Sequence, residues 1–219
     1  MISCCGFSSV PSEISVWVDV EHLRRELGAQ TGRVDTCIHS LQGGVSGGAL
    51  ASFIGVFDFY GFRKLYRMHS PFALSPKKPK PTVPPPPSSL WTKMLGLLRI
   101  KELGLMGYQF QGPIYRALIH RTWGLLESTP NAYGHHFDFH AWLKVWGPVS
   151  GIFWHMGLLT LMLLSLLRPL RWLASKVGYQ PGDGGDLEKI KNNWLKYRTV
   201  AEADNVQSTE IEEPGPFSV

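Results

Sequence analysis

The residues best placed to do chemistry are three imidazoles and an acid in a short run, His135, His136, Asp138 and His140. On a helix, His136 and His140 would share one face, as zinc ligands often do. The preceding Pro130-Asn131-Ala132-Tyr133-Gly134 is loop chemistry, and no Glu stands where a metalloprotease needs one. The expectation is that no metal is bound. Arg116, His120 and Arg121 share a second segment. Two guanidiniums and an imidazole near one helical turn can clamp a phosphate or carboxylate, or they can be the wet face of a helix, which is the expected reading. The third feature is Gly43-Gly44-Val45-Ser46-Gly47-Gly48. Such a loop lets backbone approach a ligand closely and points free N–H groups at an anion, or it simply permits a tight turn. Its spacing is not G-x-G-x-x-G, so the dinucleotide fingerprint is absent, and no other segment comes nearer to it.

These groups need elements to hold them. Met1 to Phe7 reads as a short buried strand. Ser8 to Glu13 has a serine cap, Pro11 in the first turn and an acid near the positive end of the dipole, predicting a helix from about Pro11 to Leu27. Val16, Val20, Leu23 and Leu27 recur along it, and Gly28 supplies a left-handed stop. Val34 to Leu41 is a strand candidate that leads through the glycines into a helix over Ala49 to Phe57, which makes a βα unit. Pro76 to Pro87 holds seven prolines in twelve residues, a polyproline-like spacer or loop rather than an SH3-type ligand. A strand over Leu105 to Gln111 precedes a helix over Pro113 to Leu126, with Ile114, Ala117, Leu118 and Leu125 at helical spacing. Leu187 to Tyr197 reads as a short basic helix or the lead-in to a strand, and the polar, acidic segment after Asp204 as disordered.

The chain has 219 residues, 44% hydrophobic, 12% aromatic and 18% charged. That is enough to bury a core and too apolar to be disordered throughout. The net charge of +5 is unevenly spread. Residues 91–176 hold nine Lys or Arg against three acids, and residues 177–219 hold four against eight. The bases form no stripe of the kind nucleic-acid binders carry, so nucleic acid is not an expected partner. Cys4, Cys5 and Cys37 make no disulfide framework, and a reducing compartment is expected.

The bases of the middle third flank an apolar run instead. Val149 to Leu167 is nineteen residues with no charge and one imidazole, His155. As a helix it is long enough to cross about 30 Å of hydrocarbon. A helix apolar on all sides is buried either in protein or in lipid. Arg168, Arg171 and Lys176 after it would keep its C-terminal end cytosolic, and Trp146, Trp154 and Trp172 suit an interfacial belt. Membrane association is the expectation, with Pro148 and the interior polar residues standing against it.

Several pieces, in order, resemble the saccharopine dehydrogenase-like oxidoreductases, in particular the trans-acting enoyl reductases. Cys5-Gly6-Phe7-Ser8-Ser9-Val10-Pro11-Ser12-Glu13 is similar to that family's C-G-F-D-S-x-P-S-D, with Ser8 and Glu13 in place of its two Asp residues. Gly44 to Ala49 resembles its S-G-G-T loop with Ala49 for Thr, and Ser70 to Pro76 its D-P-Y-x-L-S-P motif without the acid. Tyr133-Gly134 with Phe137, Phe139 and Trp142 resembles an aromatic Y-G-x-x-F-x-Y stretch. Gln180 to Gly184, Trp194 to Arg198 and Glu202-Ala203-Asp204 resemble the P-G-x-G-P, W-F-K-x-R and E-A-D ending.

The resemblance implies an α/β fold: the substrate domain of a two-domain reductase, truncated, with one long apolar helix. It implies reduction of an enoyl double bond in a polyketide or fatty-acyl intermediate by NADPH or NADH, with a polyketide synthase or acyl carrier protein as partner. The expected substrate-side residues are Ser46, Gly47, Gly48 and Arg121, through backbone N–H and guanidinium contact to an acyl carrier or a carbonyl oxygen. The histidine run is then local substitution rather than a ligand set. The resulting division is 1–75 as βα units, 76–90 as a Pro-rich linker, 91–147 as the rest of the substrate domain, 148–173 as the apolar helix, 174–204 as the family-like C-terminal segment and 205–219 as a tail. The alternative function is a non-catalytic, membrane-associated relative of that family.

Overall fold

A computed structural model describes residues 9–43, 47–60, 64, 67, 70–77, 94–177 and 191–204. The expected strand at Met1–Phe7, most of the Pro-rich segment and the tail after Asp204 lie outside the described residues. Within them the chain is α/β. Its five-stranded mixed sheet comprises β1 (Thr31–Gln42), β2 (Leu97–Ile100), β3 (Gly104–Tyr108), β4 (Asp138–Lys144) and β5 (Trp194–Ala203). Its helices are α1 (Val10–Leu27), α2 (Gly47–Phe59), α3 (Gly112–Leu126), α4 (Pro148–Ser165) and α5 (Arg168–Val177). The strand order is β2-β3-β4-β1-β5. β1 and β4 are parallel, with Arg33 opposite Asp138 and Asp35 opposite His140, while the other neighbours are antiparallel.

α1 forms for the expected reasons at both ends. Pro11 sits in the first turn, where its missing N–H costs nothing, and Gly28 closes the helix at φ 60° with its N–H on the Arg24 carbonyl. Ser9 occupies the N-cap, but only its backbone carbonyl is used, accepting from Glu13 N–H at 3.1 Å. The buried stripe is Ser12, Val16, Val20 and Leu23; Leu27 is exposed.

α3 runs over the expected residues and buries Ala117, but its inward face is otherwise different. Ile114 and Leu125 are exposed, whereas Tyr115, Ile119, His120 and Trp123 are buried. Aromatic bulk, not aliphatic spacing, sets its orientation. With Val16 and Val20 of α1, Val34 of β1, and Tyr133, Phe137 and Phe139, these residues form the main core on one face of the sheet. Trp123 Nε1 donates to the Gly134 carbonyl at 2.7 Å, and Thr31 N–H donates to the Tyr133 carbonyl at 2.8 Å, tying the 130s loop to the start of β1. Side chains alternate along a strand, so Cys37, Met106 and Trp142 gather in a smaller cluster on the opposite face.

The segment 148–173 spans two helices, and the apolar run Val149 to Leu167 is the first of them with its closing turn. α4 starts at Pro148, the first helical position, so the proline favours the helix rather than opposing it. The Ser150 hydroxyl accepts from Gly147 N–H at 3.0 Å and donates to the Gly147 carbonyl at 2.9 Å. A turn at Leu166–Leu167 ends α4 and α5 begins, with Pro169 second in α5. The expected single helix over 148–173 is therefore divided at Leu166–Leu167, because Pro169 has no N–H to continue the ladder from α4.

Candidate functional site

The fold gathers a polar network at the β1–β4 seam and leaves apolar side chains exposed on α2, α4 and α5.

The network begins with Asp35, buried in β1. Arg33 lies two residues back on the same face and donates to it from Nε at 2.5 Å and Nη2 at 3.1 Å. Trp142 of β4 adds an indole N–H at 2.6 Å. The parallel register places Asp138 and His140 beside Arg33 and Asp35. Asp138 is the first residue of β4, so it is reached from its own strand and from α3 together. Arg116 Nη2 donates to its two oxygens at 2.7 and 3.0 Å, His120 Nε2 stands 3.3 Å away and His140 Nε2 3.6 Å away.

Burial pushes the Asp138 carboxyl up, but hydrogen bonding from His120, the His140 charge and Arg116 outweigh it and hold the group well below the usual carboxylate range. His140 is the converse case. Desolvation lowers its affinity for a proton, and the nearby Asp138 and Asp35 do not restore it.

His120 is fully buried between Phe72, stacked on it with ring centroids 4.2 Å apart, and Phe137. Its Nδ1 faces the Pro71 carbonyl at 3.0 Å and so carries the hydrogen. Nε2 lies 3.3 Å from the Phe139 amide N and from Asp138. A neutral ring accepts there from Phe139, and a protonated ring donates to Asp138. Arg116 and His120 are thus internal fasteners, which corrects the wet-face reading for these two, while Arg121 is exposed. The reason is Asp138, a partner 22 residues from Arg116.

The histidine run does not converge. β4 is a strand from Asp138, so His136 and His140 share no helix face. His135 is exposed, His136 Nδ1 lies 2.9 Å from Asp204 Oδ2, and His140 joins the network. Among the described residues no group of three or more His, Cys, Asp or Glu side chains is arranged to hold a metal ion. Burial also pushes the Cys37 thiol up to about 11, so little of it is thiolate at neutral pH.

Of the expected substrate-side residues, Gly47 and Gly48 open α2 directly after β1, so the strand, glycine, helix passage is present. Ser46 lies outside the described residues. Arg121 is exposed on α3. Among the described residues a cleft of about 280 Å³ lies elsewhere, between the end of α1 and the 129–133 loop, lined by Val20, Arg24, Gln30, Thr129 and Tyr133 among others. That is below the roughly 300–1,000 Å³ of typical small-molecule sites.

The apolar surface was legible as composition but not as a surface. α4 is long and apolar enough to cross a membrane, yet only 11% of it is buried. Its inward positions are Gly151, Ile152, His155, Leu158, Met162 and Ser165. Gly151 packs closely on Leu97 and Val145, and Trp154 Nε1 donates to the Tyr108 carbonyl at 3.0 Å, fixing α4 to the sheet's edge. Phe153, 74% exposed, and Leu163, 65% exposed, lie outward, joined by Leu167, Leu173 and Trp172 of the turn and α5. On α2, Phe59 is 85% exposed. Arg171, buried, donates to Asp58 of α2 at 2.6 and 3.1 Å and to the Ser165 and Leu166 carbonyls at 2.7 and 3.0 Å.

Comparison of the chain with protein-family models, with curated proteins and with solved structures finds no match.

Proposed function

We propose that this chain is a membrane-associated α/β protein, attached to a lipid surface through α4 together with α5 and α2, with the C-terminal end of the apolar run on the cytosolic side. The observation that carries this is the mismatch in α4 between its apolar composition and its 11% burial. Contiguous apolar surface of this extent on a folded domain marks a contact with something apolar. Arg168 and Lys176 close the patch with positive charge, which anionic lipid attracts, and Trp146 and Trp172 stand exposed near its two ends. Co-sedimentation of the full chain with phosphatidylcholine vesicles, with and without phosphatidylserine, tests it. Binding strengthened by phosphatidylserine is expected; a chain that stays in the supernatant with both would refute attachment.

A second reading, from the resemblance to the trans-acting enoyl reductases, is that the chain contributes the substrate side of an NAD(P)H-dependent reduction of a polyketide or fatty-acyl intermediate presented by a synthase or acyl carrier protein. The β1, glycine, α2 passage favours it, since Gly47 and Gly48 stand at a helix N-terminus where backbone N–H groups can meet a carbonyl oxygen. The test is NADPH fluorescence: saturable enhancement at micromolar protein supports this reading, and a flat titration counts against it.

A further inference from the structure

Resting on that membrane reading and going beyond it, we infer that the apolar unit is monotopic: α4 and α5 lie in one leaflet's interface and the chain does not cross. The sheet order carries the argument. β4 precedes α4 in the chain, β5 follows α5, and both are hydrogen-bonded to the same strand, β1. Val34 pairs with Phe139 on one side and Ala201 on the other. The chain that leaves β4 must therefore return to the side it came from. A single crossing by α4 would put β5 across the bilayer from its partner.

A second crossing within the same segment is not available. α5 has ten residues, about 15 Å of helix against about 30 Å of hydrocarbon. The following Gly178 to Ile190 contains Pro181, Asp183, Asp186, Glu188 and Lys189, which no hydrocarbon-spanning stretch accommodates cheaply.

What remains fits an interfacial attachment. The outward positions of α4 run its whole length, from Val149 and Phe153 to Leu163, so the helix offers lipid a side rather than an end. α5 is amphipathic, with Leu170 and Leu173 between Arg168, Arg171 and Lys176, the composition of a helix lying in the headgroup plane. Arg171 anchors α5 to the end of α4 and to Asp58 of α2, so the three helices are held together at this junction. Charged groups at that junction are tolerable at headgroup level and costly at the bilayer centre. The occupant is an anionic leaflet; a second copy of the chain or a partner helix is the competing outcome.

The experiment uses three variants of the full chain, each with one introduced cysteine, with Cys4 and Cys5 changed to serine and the buried Cys37 kept: Glu26→Cys on α1, Lys196→Cys on β5 and Leu163→Cys on α4, all at exposed positions. Each is mixed with sealed phosphatidylserine-containing vesicles, floated, and treated with a membrane-impermeant maleimide. Expected are equal, fast labelling at 26 and 196 and labelling at 163 slowed at least tenfold by vesicles. Protection of 196 relieved only by detergent, with 26 still open, means the chain crosses and overturns monotopic insertion while leaving attachment intact. Flotation with 163 labelled at its vesicle-free rate overturns the placement of α4. Failure to float, with 163 shielded by self-association on a sizing column, refutes attachment itself and identifies the patch as a contact between copies.

Discussion

The guanidinium of Arg171 on α5 closes on the carboxylate of Asp58 on α2, 113 residues earlier, while its other nitrogen takes the Ser165 and Leu166 carbonyls that end α4. One buried side chain thereby caps one helix, anchors a second and pairs with a third. Arg is suited to this because its planar fork serves several acceptors at once.

Arg171→Ala should lower stability by about 2 kcal/mol, since two α4 carbonyls and Asp58 lose their donor together. Asp58→Asn, at a half-exposed carboxylate, should cost under about 1 kcal/mol. Urea midpoints in detergent compare the two. Equal small effects would show that the junction does not hold α5 in place.

His120→Phe keeps the ring against Phe72 but leaves the Pro71 carbonyl and the region of Phe139 N–H and Asp138 without their partner. A loss of about 1–3 kcal/mol is expected from orphaned buried polar groups. A neutral result by thermal denaturation would mean that packing alone accounts for the residue.

The pH profile separates two groups of the same sign by the range in which each acts. His140 resists protonation in the folded chain, so as pH falls through about 6.5 the unfolded chain takes up a proton first and stability declines toward the folded value. Asp138 contributes stability above its unfolded value of about 3.9 that is lost below it. His140→Gln should flatten the stability curve between about pH 6.5 and 4.5. Urea midpoints across that range check it, and an unchanged slope would contradict the assignment.

Asp19 runs the other way. Burial lifts it to about 6, with His22 only partly offsetting, so its ionised form destabilises the folded chain above that pH and the penalty fades as pH falls toward about 3.9. Asp19→Asn should raise stability at pH 7 by about 1 kcal/mol, allowing for solvent screening at a partly exposed site. The gain should vanish near pH 4. A variant less stable at pH 7 would show that the carboxylate has a favourable role.

α1 was readable because its signals are local: Pro11, the Val16–Val20–Leu23 stripe and Gly28 all act within one helix. The β1, glycine, α2 passage was readable for the same reason. At β4 and just before it, Phe137, Phe139, Ala141 and Leu143 alternate with Asp138, His140 and Trp142, a period-two signal overlaid by the helical spacing of His136 and His140. The Arg116–Asp138 and Asp35–Trp142 contacts, like the parallel β1–β4 register, join residues far apart in the chain, and no local pattern encodes them. The apolar run was visible as composition. Its end before Pro169 was also written there, but only the return of β5 to β1 bears on whether it crosses.

Membrane attachment through the outward face of α4 is tested most directly by floating the full chain and its Phe153→Asp, Leu163→Asp double variant on phosphatidylserine-containing vesicles under one density gradient. Both substitutions sit on exposed positions, so the fold is retained and circular dichroism spectra should coincide. The native sequence should rise with the vesicles and the double variant should stay at the bottom. A double variant that floats as well as the native chain, or a native chain that does not float, would contradict it.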